Sequence, residues 1–353
     1  MKITFFIGGL SGGGAERVIC NLANYLSEKD NECVILTMSE EESTYELLEN
    51  IKVKSLLANR ERKNFILDNV KRLVRLKKYM KNTNVDIYIV FLPITIIMML
   101  LLKKSSNARI IASERGNPKR YSWVVQRMLK VLAKRADKWV FQTTDAMDWY
   151  KNVISEFEII PNAINKEFVC SRYEGERRKV IIGAGRLSEQ KNFSLLIQAF
   201  SDVADYIPDY SLEIYGEGNK RKELEQLVKK CGIEKKVKMP GYVKSLGETI
   251  KDASLFVLSS NYEGMPNSLM EAMALGIPCI STDCPVGGPR YLIKDNVNGC
   301  LVPVGDKERL ANAILSLLSD KEKSSQMGRL ASKIVDDLSP EKIYSRWNEI
   351  IIN

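Results

Sequence analysis

The residues of this chain best suited to chemistry stand in the stretch Ser254 to Pro278, SLFVLSSNYEGMPNSLMEAMALGIP, where two carboxylates bracket a helix start. Glu263 precedes, and Glu271 follows, the segment Gly264, Met265, Pro266, Asn267, Ser268 and Leu269. With Pro266 at the first helical position, free amides of Asn267, Ser268 and Leu269 point out of the helix N-terminus, where an anion is favoured. Carboxylates instead accept hydrogen bonds from hydroxyls. Amides for phosphates beside carboxylates for hydroxyls suit a ligand that is part phosphate and part polyol, as a nucleotide sugar is. Arg186 and Lys191 add two cations on another loop, arginine able to grip a diphosphate bidentately and lysine acting as a point charge. The simpler account makes the glutamates solvated surface charges and the Arg186 loop an ordinary basic one.

The elements that must position these groups follow one rhythm. Leu255–Leu258 is an apolar run of buried-strand length, Leu269, Met270, Met273 and Leu275 form a helical stripe, and Gly276 with Pro278 stops it. The same strand, loop and helix order recurs. Lys2–Ile7 leads into GGLSGGG and the stripe Val18, Ile19, Leu22, Ala23 and Leu26. Strands are expected at 32–37, 52–56, 87–91, 109–113, 139–143, 158–161, 180–183, 212–215, 237–239 and 278–281, with helices at 94–102, 193–203, from Asp306 through Leu318, and 341–352. Such alternation predicts doubly wound parallel sheets, whose sites lie at the carboxyl ends of strands. Gly185 and Gly216 end two such strands, and Glu114-Arg115-Gly116-Asn117-Pro118 follows another. In the N-terminal turn Gly13 and Gly14 allow close backbone approach by a phosphate or sugar. The dinucleotide pattern G-x-G-x-x-G is not met there, which weakens a plain NAD assignment.

E-G-M-P-N-S-L-M-E resembles the E-x7-E motif of retaining glycosyltransferases of family 4, which have the GT-B fold. Gly185-Arg186-Leu187 with Lys191-Asn192, the turn GGGAER from Gly12 to Arg17, and CPVGGPRYLI from Cys284 to Ile293 are similar to further family segments, in the family's order. The resemblance implies two Rossmann-like domains facing each other across a cleft, 1–166 on the acceptor side and 167–340 on the donor side, with the helix 341–353 packing back on the first. Glu167–Lys179 reads as the linker. It also implies transfer of a hexose or N-acetylhexosamine from a nucleotide sugar, expected to be UDP-linked, to a glycan or undecaprenyl-linked saccharide in cell-surface polysaccharide synthesis. Arg186, Lys191 and the Asn267 amides would then face the leaving diphosphate, Glu271 the ribose and Glu263 the donor sugar, with Gly264–Leu269, Gly185 and Gly216 lining the donor and Gly13, Gly14 and Glu114 the acceptor side. Where many members carry a histidine facing the sugar, this chain has Arg115. Either arginine takes over a charge-stabilising role, or the acceptor side differs, or Arg115 is structural and paired with a neighbouring acid. No cofactor and no metal are expected, since no D-x-D triplet occurs. A nucleotide-sugar epimerase and a non-catalytic sugar-nucleotide or glycan binder remain the alternatives on the same fold.

Composition narrows the partners. A chain of 353 residues with 45% apolar content suits two domains. The formal charge of +9 is lopsided, with 26 Lys and Arg against 18 Asp and Glu up to Asn165, and 27 against 26 beyond it. Arg60–Lys81 sets nine cations among Phe65, Ile66, Val70, Leu73, Val74, Leu76 and Met80, the pattern of a basic amphipathic helix at an anionic bilayer or of a helix with one face on its own domain. No nucleic-acid partner is expected. Seven cysteines without C-x-x-C, and no histidine, speak against a disulfide framework, a zinc site and any Ser-His or Cys-His nucleophile. The N-terminal apolar run is too short for a signal peptide, and Pro93 divides Val85–Leu102 into pieces shorter than a membrane span. The expected location is the cytoplasm, peripheral on the inner face of the plasma membrane.

Overall fold

The computed structural model describes residues 1–40, 43–62, 64–169, 172–243 and 245–352, without the side chain of Phe65. Glu41 and Glu42 of the acidic loop, Lys63 of the basic stretch, and Cys170 and Ser171 of the expected linker therefore lie outside the described residues. The chain divides into two compact units, Met1–Asn162 with Ile343–Asn353, and Ala163–Lys342. Residues just after the division belong with the second unit because the Ile164 amide donates to Leu338 O at 2.9 Å and Phe168 packs beside Gly247, so the division precedes the Glu167–Lys179 segment.

The first unit runs β1 (Lys2–Ile7), α1 (Gly14–Ser27), β2 (Glu32–Thr37), β3 (Lys52–Ser55), α2 (Phe65–Asn82), β4 (Ile87–Phe91), α3 (Pro93–Leu101), β5 (Arg109–Ser113), α4 (Trp123–Leu132), β6 (Lys138–Phe141), α5 (Thr144–Asp148) and β7 (Phe157–Ile159). Its strands form one parallel sheet ordered β3-β2-β1-β4-β5-β6-β7. The inner strands are continuous apolar runs because helices cover both faces, and Phe5, Phe6, Ile89, Phe91 and Trp139 are buried. Pro93 takes the first position of α3, so β4 and α3 are separate elements. Among the described residues no helix is long and apolar enough to cross a membrane.

The second unit runs β8 (Arg178–Ala184), α6 (Phe193–Val203), β9 (Ser211–Tyr215), α7 (Arg221–Lys230), β10 (Val237–Gly241), α8 (Leu246–Ile250), β11 (Ala253–Leu258), α9 (Asn267–Ala274), β12 (Cys279–Thr282), α10 (Gly288–Leu292), β13 (Cys300–Val302), α11 (Lys307–Ser319), α12 (Lys321–Ser332) and α13 (Ile334–Asp337). Its parallel sheet is ordered β10-β9-β8-β11-β12-β13. Phe193, Leu196 and Phe200 of α6 join Leu310, Ile314 and Leu317 of α11 over Ile181 and Leu255 in one buried cluster. Two parallel α/β units of this kind make the two-domain, Rossmann-like GT-B fold.

α4, α7, α12 and β13 were not among the sequence expectations. KEKSSQMGRLAS of α12 carries little apolar pattern, and β13 is three residues long. Beyond Pro285 the chain turns into the short helix α10 at Gly288.

A last helix, α14 (Pro340–Ile352), seats its apolar stripe on the first unit. Trp347 is fully buried with its ring centre 6.0 Å from that of Phe91, Tyr344 lies 5.2 Å from Tyr25, and Arg109 donates to the carbonyls of Ile350 and Ile351 at 3.2 Å. Trp347→Ala is expected to cost about 3–5 kcal/mol of the first unit's stability, measured by urea unfolding; a loss under about 1 kcal/mol would show that α14 is not part of that core.

Candidate active site

In the second unit the strand order reverses between β8 and β11, which are hydrogen-bonded neighbours, Phe256 pairing with Ile182. In open parallel sheets the carboxyl edge at such a reversal is where ligands bind. The loop after β8 carries Gly185, Arg186, Gln190 and Lys191, and the loop after β11 carries Ser260, Asn261 and Glu263. Their side chains meet. Lys191 Nζ lies 2.6 Å from Glu263 Oε1, Ser260 Oγ donates to the same oxygen at 2.7 Å, and Gln190 Nε2 reaches Glu263 Oε2 at 3.4 Å. Backbone bonds clamp the two loops together, Asn261 N to Gln190 O at 2.8 Å and Ser259 Oγ to Lys191 O at 2.9 Å.

Glu263 is 6% exposed, so its charge is removed from water and held by a cation and two neutral donors, the condition for burying a carboxylate. It is therefore not the solvated surface acid of the simpler account. Glu271 is also buried, on the second turn of α9. Arg186 is exposed on the β8 loop. The ion pair thus has an exposed cation on the same loop and a helix start on the other.

That helix start differs from expectation in one respect. Pro266 is the residue before the helix, with φ −78° and ψ 100°, and its carbonyl accepts from both Leu269 N and Met270 N at 3.1 Å. This tight first turn consumes the Leu269 amide, so Leu269 contributes no free donor to a ligand. Asn267 and Ser268 remain half-buried at the helix mouth, while Met265 and Pro266 are buried and Gly264 is half-buried.

Sequence reasoning missed how the loop after β12 fixes Glu263. Glu263 N donates to Pro285 O at 2.6 Å and Val286 N returns a bond to Glu263 O at 2.7 Å. Gly288 lies so close that a Cβ there would be 1.7 Å from Gly264 O. The Gly287-Gly288 pair in CPVGGPRYLI was the available signal. Burial, with the Glu263 charge adding, pushes the Cys284 thiol in this loop up to about 12, so it stays protonated and is not a nucleophile. Gly185 and Gly216 are likewise packing glycines, since a Cβ on Gly216 would meet Gly185 O at 2.0 Å.

The first unit holds the other expected residues. Glu114, buried after β5, accepts from the hydroxyls of Tyr121 and Tyr150 at 2.7 and 2.8 Å and from the amides of Arg115 and Gly116 at 3.0 Å. Its oxygens are thereby engaged in holding the loop. Burial beside the Glu114 charge pushes both tyrosines well above their usual range. Arg115 points inward, its guanidinium 4.3 Å from the Phe91 ring centre and 5.6 Å from that of Trp347, with Nη1 donating to Asn162 Oδ1 at 3.0 Å. Nε and Nη2 touch no solvent and have no hydrogen-bond partner, and burial lowers the group to about 9. Gly13 N and Gly12 N both donate to Glu16 Oε2, at 2.8 and 2.6 Å, so the mouth of α1 is capped by its own side chain and Gly14 follows as its first residue. Among the described residues no three His, Cys, Asp or Glu are grouped to hold a metal.

Residues 12–168 match the model of Glycosyltransferase Family 4, and residues 170–334 that of Glycosyl transferases group 1. A glycosyltransferase of Methanocaldococcus jannaschii, itself uncharacterized, is 30% identical over 70% of this chain and 68% of its own. The chain belongs to the family 4 glycosyltransferases. The Campylobacter jejuni enzyme called GalNAc-alpha-(1->4)-GalNAc-alpha-(1->3)-diNAcBac-PP-undecaprenol alpha-1,4-N-acetyl-D-galactosaminyltransferase is 28% identical over 99% of this glycosyltransferase and 98% of its own length. The crystal structure of Anabaena HepE in complex with UDP-glucose shares the fold at a TM-score of 0.85, 19% identity and 99% coverage of both chains.

The contact at Gly288 gives a direct test of this glycosyltransferase's site. Gly288→Ala is expected to displace the Glu263 loop and lower turnover by about 100-fold with the circular dichroism spectrum unchanged, the scale of loss that an ångström of misplacement produces. Turnover within about threefold of wild type would show that the loop after β12 does not set Glu263.

Proposed function

We propose that this glycosyltransferase is a retaining enzyme that moves a hexose or N-acetylhexosamine from a UDP-sugar to a saccharide carried on undecaprenyl diphosphate, or to a growing polysaccharide, in bacterial cell-surface glycan synthesis. The observation that carries the reading is the ion pair of half-buried Lys191 with buried Glu263 at the strand-order reversal, a cation and an acid held at 2.6 Å beside a helix start. The lipid-linked acceptor named for the Campylobacter enzyme, over nearly its full length, supports the acceptor class, and the UDP-glucose in HepE supports the donor class.

In the donor complex Lys191 turns to the diphosphate and Glu263 to the sugar hydroxyls, each exchanging its partner in the pair for a ligand group of like polarity. Glu271 holds the ribose hydroxyls. The bond from the anomeric carbon to the phosphate oxygen breaks and its electron pair leaves on the diphosphate. Arg186, Lys191 and the amides at the start of α9 face that growing charge, so they favour the transition state over the ground state. The acceptor hydroxyl attacks the anomeric carbon on the face the diphosphate leaves, and its proton passes to the departing phosphate oxygen. The chain contains no histidine to act as base. The proposed reaction uses no cofactor and no metal. Its acceptor places the enzyme at the cytoplasmic face of a membrane.

Arg186→Ala and Lys191→Ala are each expected to lower donor turnover by about 100-fold or more with folding intact. Near-normal turnover in both variants would remove them from the leaving group. For the acids, Glu271→Gln is expected to weaken bare UDP in calorimetric titration, whereas Glu263→Gln spares UDP and damages sugar transfer. Equal losses in titrations with UDP and with UDP-sugar would refute that division. Retention is checked by NMR of the product anomer; inversion of the donor's anomeric configuration would overturn it.

A further inference from the structure

Besides the apolar face with which α2 packs into its own unit, where Leu76 and Met80 are buried, the helix carries a second on the outside. Arg72 and Asp68 face inward and are buried, Arg72 donating to Met38 O at 2.9 Å, to Ser39 Oγ at 2.7 Å and to Asn69 Oδ1 at 2.9 Å. Arg75 is held by Glu61 at 2.6 Å and donates to Leu56 O. The outward stripe is apolar instead, with Ile66 74%, Val70 53% and Val74 63% exposed, and it continues at helical spacing into exposed Lys77, Lys78 and Lys81. An amphipathic helix that only covered its own domain would bury that stripe.

α4 repeats the pattern. Trp123 is 73% and Val131 69% exposed on one helical face, interleaved with exposed Arg127, Lys130 and Lys134. Both helices cover the same face of the first sheet. The steps β3 to β4, β4 to β5 and β5 to β6 all run along the sheet in the direction opposite to β1 to β2. Right-handed crossovers therefore set α2, α3 and α4 on the side opposite α1, and α3 packs against α4. Asp68 is the one acid within α2, and no acid occurs from Pro118 to Arg135.

We propose that this face docks on an anionic phospholipid surface, with Ile66, Val70 and Val74 of α2 and Trp123 and Val131 of α4 entering the headgroup region while the flanking lysines and arginines meet lipid phosphates. The occupant follows from charge complementarity: a surface of cations around bulky apolar tips, without acids of its own, matches the anionic, partly apolar zone of a bilayer and not another copy of this basic face. The inference deepens the proposed function, resting on its lipid-linked acceptor. It also reassigns the basic helix, because Arg72 and Arg75 serve the fold and the apolar stripe makes the contact.

The full chain is mixed with vesicles of phosphatidylglycerol and phosphatidylcholine, or of phosphatidylcholine alone, and floated on a density gradient. It is expected to float with the anionic vesicles only. Brominated phosphatidylglycerol is expected to quench tryptophan fluorescence in the wild type and not in Trp123→Phe. Val70→Ser with Val74→Ser, and separately Trp123→Ser with Val131→Ser, are expected to lower the partition coefficient by about tenfold each. Part of the binding is expected to survive about 1 M salt, where the Debye length is about 3 Å and charge attraction alone would be lost. Absence of flotation, quenching equal in Trp123→Phe, unchanged partition of both double variants, or complete loss in salt would each overturn the proposal. So would a dimer in sedimentation velocity that dissociates in the double variants, since it would assign the face to a second copy. Transfer to a soluble acceptor analogue, assayed without vesicles, is expected to be equal in wild type and variants. Loss of that transfer in the wild type would refute the proposed function, whatever the vesicles show.

Discussion

A carboxylate taken out of water has to be compensated, and the contact of Lys191 with Glu263 is where this molecule meets that demand. Neither residue is close to the other in the chain. They meet because β8 and β11 are neighbours in the sheet, at the point where the strand order reverses. Everything around the pair serves to hold it: the Ser260 hydroxyl, the Gln190 amide, the clamp of Asn261 onto Gln190, and the loop after β12 bonded to both sides of the Glu263 backbone. A buried pair of this kind is an uncertain source of stability, since desolvation offsets most of the attraction. What it supplies is two groups of opposite charge, fixed in place and already stripped of most of their water. That is the state a reaction developing negative charge on one side and hydroxyl contacts on the other requires.

The first unit uses its polar residues differently. The Glu114 carboxylate is spent on Tyr121, Tyr150 and two amides, and the Arg115 guanidinium is laid across aromatic rings. Both groups follow the carboxyl end of β5, the position from which a sheet of this type presents ligands. In this unit that position fastens the loop and the final helix into the core. The carboxyl edge of a parallel sheet thus carries the Lys191–Glu263 pair in one unit and an internal brace in the other.

Much of the fold could be read from the chain because parallel strands covered on both faces are unbroken apolar runs, as at Leu255–Leu258 and Ile87–Phe91, and because Pro93 and Asp306 mark helix starts. Elements held by tertiary packing rather than by their own pattern escaped, as α12 with its polar surface and the short β13 show. At the site, residue types and spacing pointed to Glu263, Glu271, Arg186 and Lys191. They did not reveal that Lys191 and Glu263 are paired, since that contact depends on strand order. Nor did they reveal that Leu269 N is consumed by Pro266 O, which depends on how tightly the first turn of α9 winds. The Arg60–Lys81 stretch was legible as amphipathic, but its orientation was not, because Arg72 finds two acceptors inside, Met38 O and Ser39 Oγ, that only the folded segment after β2 provides.

The seating of α14 on the first unit makes that unit discontinuous in the chain: its sheet is complete by β7, but Trp347 follows only after the whole of the second unit. A ribosome adds residues at about 5–20 per second, so roughly 10–40 seconds separate the emergence of β7 from that of the helix which covers Phe91 and Arg115. The second unit, by contrast, is one continuous stretch and has all its parts before the first is whole. During synthesis the order of completion is therefore reversed, with the later unit finishing first and the earlier one waiting with an open apolar seam. A nascent chain stalled between β7 and Trp347 would keep that seam open, so α14 is the segment whose arrival completes the first unit.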